Sequence, residues 1–318
     1  MTIVTVASPV RRRIPAPDSA APTSEWQRLS TASRARKRTT YARRRGAANT
    51  FFCAIVFAVS ACKSPPREPH DTEIGQWIWS SADSARFAEA SRTVPNVVPT
   101  VWIGTIRATS EGTVASQLAL SPQIAGRSTV GVVVRFDDSF SRVWRTLSDT
   151  SIAREVGDAL EELVSAAERT GVSISEVQLD YDCPERLLER WSVVVGRLTR
   201  GVLAGRPVWV TSLVSHLRHA DYGTLFRPHV TGHILQVFDT GDRMSIPRAR
   251  RLERLASRHR MPFRLGVAAF ERRTRNGETT DHEAWFAATR ILSGSRWYSG
   301  VWIFPGGASW AHLLEPTR

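Results

Sequence analysis

From residue 76 onward the sequence alternates short apolar runs with amphipathic stretches, and this alternation limits the available folds more than any other feature. The runs QWIW (76–79), VPTVWIGTIR (98–107), GVVVRF (131–136), EVQLDYD (176–182), PVWVTSL (207–213), HILQVFDT (233–240), FRLGVAAF (263–270) and GVWIF (300–304) read as eight strands. Helical stretches are expected at 84–92, 152–170, 246–260 and 282–293, and after Pro184. Val156, Leu160, Leu163, Val164 and Ala167 recur at i, i+4, i+7, i+8 and i+11, the stripe of an amphipathic helix. Leu187, Trp191, Val194, Val195 and Leu198 repeat that spacing behind Pro184, a residue that suits a first helical turn. Eight strands interleaved with helices over about 240 residues is the count of a (β/α)8 TIM-type barrel. An open doubly wound sheet would usually carry a glycine-rich phosphate turn, and neither G-x-G-x-x-G nor G-x-x-x-x-G-K-[ST] occurs. Residues 108–128, between the second and third strands, are poorly helical and predict an irregular stretch there.

The charge is unevenly spread. Residues 1–61 hold eleven Lys/Arg against Asp18 and Glu25, so nine of the thirteen net positive charges belong to this leader and four to the rest. A modest charge on a domain of this size does not signal a nucleic-acid partner, and none is expected. Arg43-Arg44-Arg45, the apolar run FFCAIVFAVS (51–60) and Val59-Ser60-Ala61-Cys62 follow one another as a signal sequence would. About ten apolar residues are too few to span a hydrocarbon core of ~30 Å as a helix. The V-S-A-C pattern resembles the bacterial lipobox, which implies cleavage before Cys62 and its lipidation, with the membrane as partner. Lys63 in place of Asp points, by analogy with enterobacterial sorting, to the outer membrane of a two-membrane cell. The chain thus divides into a disordered basic extension (1–42), a signal peptide (43–61), a lipidated cysteine with a Pro-rich tether (62–73) and a barrel domain (74–318). Cys53 falls in the signal, which leaves Cys183 as a lone buried thiol without an internal disulfide partner. No cysteine pair, H-E-x-x-H or G-x-S-x-G motif occurs, and no metal or cofactor is expected.

The run EVQLDYD carries the chemistry. Alternation puts Val177, Leu179 and Tyr181 on one face and Gln178, Asp180 and Asp182 on the other. With the apolar face toward the helices, the polar face points into the barrel and the two aspartates reach the C-terminal end of the strand, where barrel sites form. Buried charges are costly unless paired or in use. Candidate partners occur on other strands: Arg135 and Asp137 follow the same alternation, Gln236 lies in ILQVFDT with Asp239 near its end, and Glu271 follows the seventh strand. Of the eleven tryptophans, Trp77, Trp79, Trp102, Trp209 and Trp302 lie on strands; Trp79 and Trp302 are the leading candidates for stacking on a sugar face, alongside the plainer reading that each packs between helix and strand. For Asp180 and Asp182 the plainer reading is an ion-pair cluster with Arg135.

The runs VQLDYDCPERLLERW, GQWIWSSADS and LFRPHVTGHILQVFDTG resemble the bacterial family named domain of unknown function 3142, over roughly residues 75–305. The resemblance implies an exported or lipid-anchored barrel of the glycoside-hydrolase-like group, without an assigned activity. The strand also resembles the D-x-x-D-x-D-x-E motif of family 18 chitinases, with a departure. Setting Asp180 and Asp182 at its second and third acids puts Val177 at the first and Pro184 at the Glu. Residues two apart on a strand have Cα atoms about 6.6 Å apart, nearer the separation of inverting than of retaining carboxylates. A partner acid would then come from another strand, with Glu271 and Asp239 as candidates. Two functions follow: an envelope protein hydrolysing a polysaccharide or glycan with Asp180, Asp182 and Glu271, or a non-catalytic lipoprotein that binds glycan or protein at the same mouth.

Overall fold

In the computed structural model the described residues are 72–119, 128–238, 244–273, 279–280 and 282–314. All eight expected strands are present, as β1 (Glu73–Ile78), β2 (Val98–Ala108), β3 (Thr129–Phe136), β4 (Ser173–Tyr181), β5 (Val208–Leu213), β6 (Gly232–Gln236), β7 (Phe263–Ala268) and β8 (Tyr298–Phe304). Each pairs in parallel with its chain neighbours, and β1 pairs with both β2 and β8, so the sheet closes. The result is a (β/α)8 TIM-type barrel. Residues 64–318 form one compact unit, and the closed barrel with its buried core makes that unit self-contained.

The helices follow the expected stripes. α1 (Ser81–Ala90) is N-capped by Ser80, and α2 (Asp149–Glu168) begins three residues ahead of the apolar pattern because Ser148 caps it. Its buried face includes Val156, Leu160, Leu163, Val164 and Ala167. α3 (Leu188–Arg200), α4 (Tyr222–Phe226), α5 (Ile246–Ser257) and α6 (His282–Leu292) complete the outer layer. The stretch after β2 holds no helix among its described residues. Gly112, at φ +79°, closes a tight turn, and Val114–Leu118 runs back antiparallel on β2. This extra strand is held to α2 by Glu155, which accepts from the Val114 amide at 3.1 Å, and by Glu162, which accepts from Ser116 Oγ at 2.8 Å.

The lower interior is polar and aromatic rather than branched aliphatic. The Arg264 guanidinium lies between the Trp209 and Trp302 rings, 3.7 and 3.6 Å from their centroids. It pairs with Glu73 at 2.6 Å and with Glu176 at 2.7 Å. Trp302 donates from Nε1 to Thr100 Oγ1 at 3.0 Å. A Cβ at Gly75 would fall inside the Trp302 indole, so only glycine leaves room for this floor. One layer higher, Gln178 donates to Glu176 at 2.7 Å and accepts from Trp77 Nε1 at 2.6 Å. Every charge and amide here has a partner, which is what burial requires.

Outside the barrel wall, Ser212, Tyr222, His233 and His259 meet behind β5 and β6. Ser212 Oγ and His233 Nδ1 share a hydrogen bond of 2.7 Å. Burial, with His259 and His216 nearby, pushes the His233 pKa down to about 3. Its folded pKa lies below the unfolded 6.5, so its contribution to stability is complete above that value and is lost as pH falls toward 3. Unfolding free energy is expected to drop by up to roughly 1.4 kcal/mol per pH unit below pH 6 from this residue. Urea titrations at pH 7 and pH 5 check it. An unchanged midpoint, or the same drop in His233→Gln, would contradict the assignment.

Candidate active site

Asp180 and Asp182 are fixed by the strand that carries them. On β4, Tyr181 points outward, where Trp144 Nε1 donates to its hydroxyl at 3.2 Å and Ser141 Oγ shares a 3.0 Å bond with it. The Tyr181 amide donates to Thr211 Oγ1 on β5 at 3.1 Å. Just past Asp182, the Cys183 carbonyl accepts from His216 Nε2 at 2.7 Å. The other ring nitrogen of His216 accepts from the Leu213 amide, so the tautomer is fixed and burial keeps the ring neutral. The backbone on either side of Asp182 is therefore pinned, and both carboxylates emerge on rigid structure at the C-terminal mouth.

Asp180 is half-buried and Asp182 is exposed at the rim. Asp180 lies opposite Arg135 in the β3–β4 register, and its Oδ1 accepts from Gln236 Nε2 at 3.0 Å. Desolvation by burial raises its pKa above the ordinary carboxylate range, outweighing Arg135 and the hydrogen bonds from Thr211 and Gln236. Arg135 and Asp180 do not form a direct ion pair. The exposed guanidinium lies over the Trp79 ring instead, 5.7 Å from its centroid, so the Arg135–Asp180 contact of the plainer reading is not made. Trp79 stacks on Trp102 at 5.3 Å and leans on Phe304 at 5.9 Å. Its Nε1 is buried without a hydrogen-bond partner, a cost that a bound acceptor would remove.

These side chains enclose a cavity of about 70 Å³, lined by Trp77, Trp79, Arg135, Asp180, Asp182, Gln236, Phe238 and Phe304. At ~30 Å³ per water it admits about two waters or one substituent of a ligand, the remainder lying against the rim. Trp79, Arg135, Asp180, Asp182 and Gln236 are thus brought together. Gln178 and Trp302 are not: they belong to the buried layers beneath. Asp137 caps a short 3-10 turn, its Oδ1 accepting from Ser139 Oγ at 2.6 Å and the Phe140 amide at 3.2 Å. Glu271 is exposed past β7 and does not line the cavity. Asp239 and Cys62 lie outside the described residues. Trp77, one of the strand tryptophans, lines the cavity as well. Sequence reasoning missed Phe238, Phe304 and Thr211 as site residues, although alternation in LQVF, VWIF and VWVT puts each on the inward face. Cys183 is buried, and desolvation raises its pKa, so its thiol stays protonated and unreactive. Among the described residues no three His, Cys, Asp or Glu side chains gather as a metal site.

Comparison with known proteins shows what the fold is similar to. The fold is similar to that of the GH18 chitinase ChiB from the chitin utilization locus of Flavobacterium johnsoniae (TM-score 0.57, 10% identity, 77% of this chain and 93% of that one). It is also similar to the spore cortex-lytic enzyme SleL of Bacillus cereus (TM-score 0.51, 10% identity, 78% and 75%). A third likeness is to a xylanase-alpha-amylase inhibitor protein in complex with trehalose (TM-score 0.50, 13% identity, 77% and 98%). No protein-family model matches the chain, and no curated protein matches it in sequence. At these identities the likeness is one of fold: the chain's (β/α)8 barrel is similar to those of GH18 glycoside hydrolases.

Proposed function

We propose that this protein is an envelope lipoprotein that cleaves a glycan containing 2-acetamido sugars, with Asp182 as the acid and Asp180 as its partner. The observation that carries this reading is the origin of both mouth carboxylates from one strand. Mechanisms with two opposed carboxylates need acids on both sides of the scissile bond, and the cavity lining has them on one side. A 2-acetamido sugar supplies its own nucleophile and needs only an acid at the leaving group. The amide oxygen bonds to C1 as the C1–O bond breaks, and Asp182 gives its proton to the departing oxygen. Water then opens the cyclic intermediate, returning a proton to Asp182 and leaving the anomeric configuration unchanged. Asp180, which favours its neutral form, shares a proton with Asp182 and relieves repulsion when Asp182 ionises.

Inward alternation also supports a second alignment of the motif. The terminal acid must stand at the mouth, and Pro184 lies beyond the strand as the cap of the next turn. Sliding D-x-x-D-x-D-x-E by two residues sets Asp182 at the terminal acid, Asp180 at the third, Gln178 at the second and Ser175 at the first. Gln178, Asp180 and Asp182 then share the inward face. Incubating residues 64–318 with chitin oligosaccharides, peptidoglycan, cellulose and xylan is expected to release reducing ends from the first two only. Release from cellulose or xylan, or from none, would contradict the proposal.

A second reading is binding without turnover. It is favoured by the loss of two of the motif's four acids and the shortening of its terminal Glu to Asp. The likeness to an inhibitor protein supports it, since a barrel of this shape also serves a protein named for inhibition. Membership of the domain of unknown function 3142 family and anchoring through Cys62 complete the proposal. Both rest on the sequence runs quoted above. Cys62→Ala is expected to move the protein out of the membrane fraction and to abolish labelling by a fatty acid.

A further inference from the structure

At the opposite end of the barrel from the mouth, Arg227, Arg258 and Arg260 surround a second cavity of about 210 Å³ together with Thr224 and His259. Arg227 follows α4 and precedes β6, while Arg258 and Arg260 join α5 to β7, so all three lie where the strands begin. No carboxylate lines this cavity, and none of the three makes an ion pair among the described residues. Arg258 is tied to the Leu217 carbonyl through Nη2 at 2.5 Å, which holds one guanidinium in place. His259 accepts from the Gly223 amide at Nδ1 and reaches the Leu217 carbonyl with Nε2, so both ring nitrogens are used within the fold. Arg260 has φ +51°, a left-handed backbone that a side chain adopts only at a cost. Three clustered arginines without a countercharge suit a phosphate, which guanidinium groups bind in a bidentate fork.

We infer that this face docks onto anionic phospholipid headgroups. The direction of the chain supports that source over a free oxyanion. β1 starts on the same face, and Cys62 precedes Glu73 by only eleven residues, a reach of at most about 40 Å. This part of the inference rests on the lipid-anchor reading. A tether that short keeps the arginine face near the bilayer and turns the glycan mouth away from it.

The test uses residues 64–318, which lack Cys62, so its outcome is separate from that of lipidation. Co-sedimentation is measured with vesicles of pure phosphatidylglycerol and of pure phosphatidylcholine. Binding to the first alone is expected, weakening about fivefold in Arg227→Ala and in Arg260→Gly. Arg260→Gly also relieves the left-handed backbone, so its loss of binding cannot be ascribed to unfolding. Arg107→Ala, the same charge change near the mouth end of β2, is expected to leave binding unchanged. Equal binding to both vesicles, or an equal loss in Arg107→Ala, would overturn the inference. Tight binding of inorganic phosphate without preference for anionic vesicles would also overturn it and leave a free-oxyanion site.

Discussion

Replacing Arg264 with Met is expected to lower the melting temperature by about 6–20 °C, the equivalent of 3–5 kcal/mol for a domain of this size. Removing the guanidinium leaves the Glu176 carboxylate, whose side chain is only 8% exposed, with Gln178 as its remaining partner. It also removes the cation stacked between Trp209 and Trp302. Breaking a buried pair on one side costs far more than removing both charges, so Glu176→Gln in the same background is expected to recover much of the loss. A shift under about 2 °C for Arg264→Met would mean that water, not Arg264, satisfies Glu176.

The second large effect is on turnover. Asp182→Asn is expected to reduce glycan cleavage by about 10²–10⁴-fold, since an amide has no proton to give the leaving group. Its melting temperature should stay close to that of wild type, because the side chain stands exposed at the rim. Asp180→Asn is expected to act differently. The Asp180 pKa is raised in the folded state, so its contribution to stability is present below the unfolded value and is lost as pH rises through the folded one. Asparagine avoids that loss and keeps an oxygen for Gln236 Nε2. Asp180→Asn should therefore melt above wild type at pH 8, match it near pH 3.5, and cleave glycan at least about 100-fold more slowly. A lower melting temperature at pH 8 would show that Asp180 is an ionised structural partner of Arg135.

Much of this was legible in the sequence because the barrel repeats one rule. Each strand alternates, each helix keeps an apolar stripe, and the glycine-rich turn of the competing fold does not occur. That rule placed Asp180, Asp182, Arg135, Trp79 and Gln236 on inward faces, and the register brought them to one mouth. Height along the barrel axis was not legible, since alternation says which way a side chain points and not how deep it sits. Trp302 and Gln178 therefore seemed equivalent to mouth residues, although they belong to the floor around Arg264 and the layer above it. Asp137 illustrates a different limit. It continues the inward pattern of β3, but the chain turns there, and its carboxylate caps the turn instead. Helix starts at Ser81 and Asp149 were misjudged because capping serines, rather than apolar spacing, decide where the first turn begins.

The most direct test of the central proposal is proton NMR of the first product formed by residues 64–318 from a β-linked N-acetylglucosamine oligosaccharide. The expected spectrum shows a β-anomer appearing first and equilibrating slowly to the α-form, with both signals growing about 10²–10⁴-fold more slowly in Asp182→Asn. An α-anomer appearing first would require an opposed second carboxylate, and no product with bound oligosaccharide would establish a binding protein. Either result would contradict hydrolysis assisted by the 2-acetamido group of the substrate.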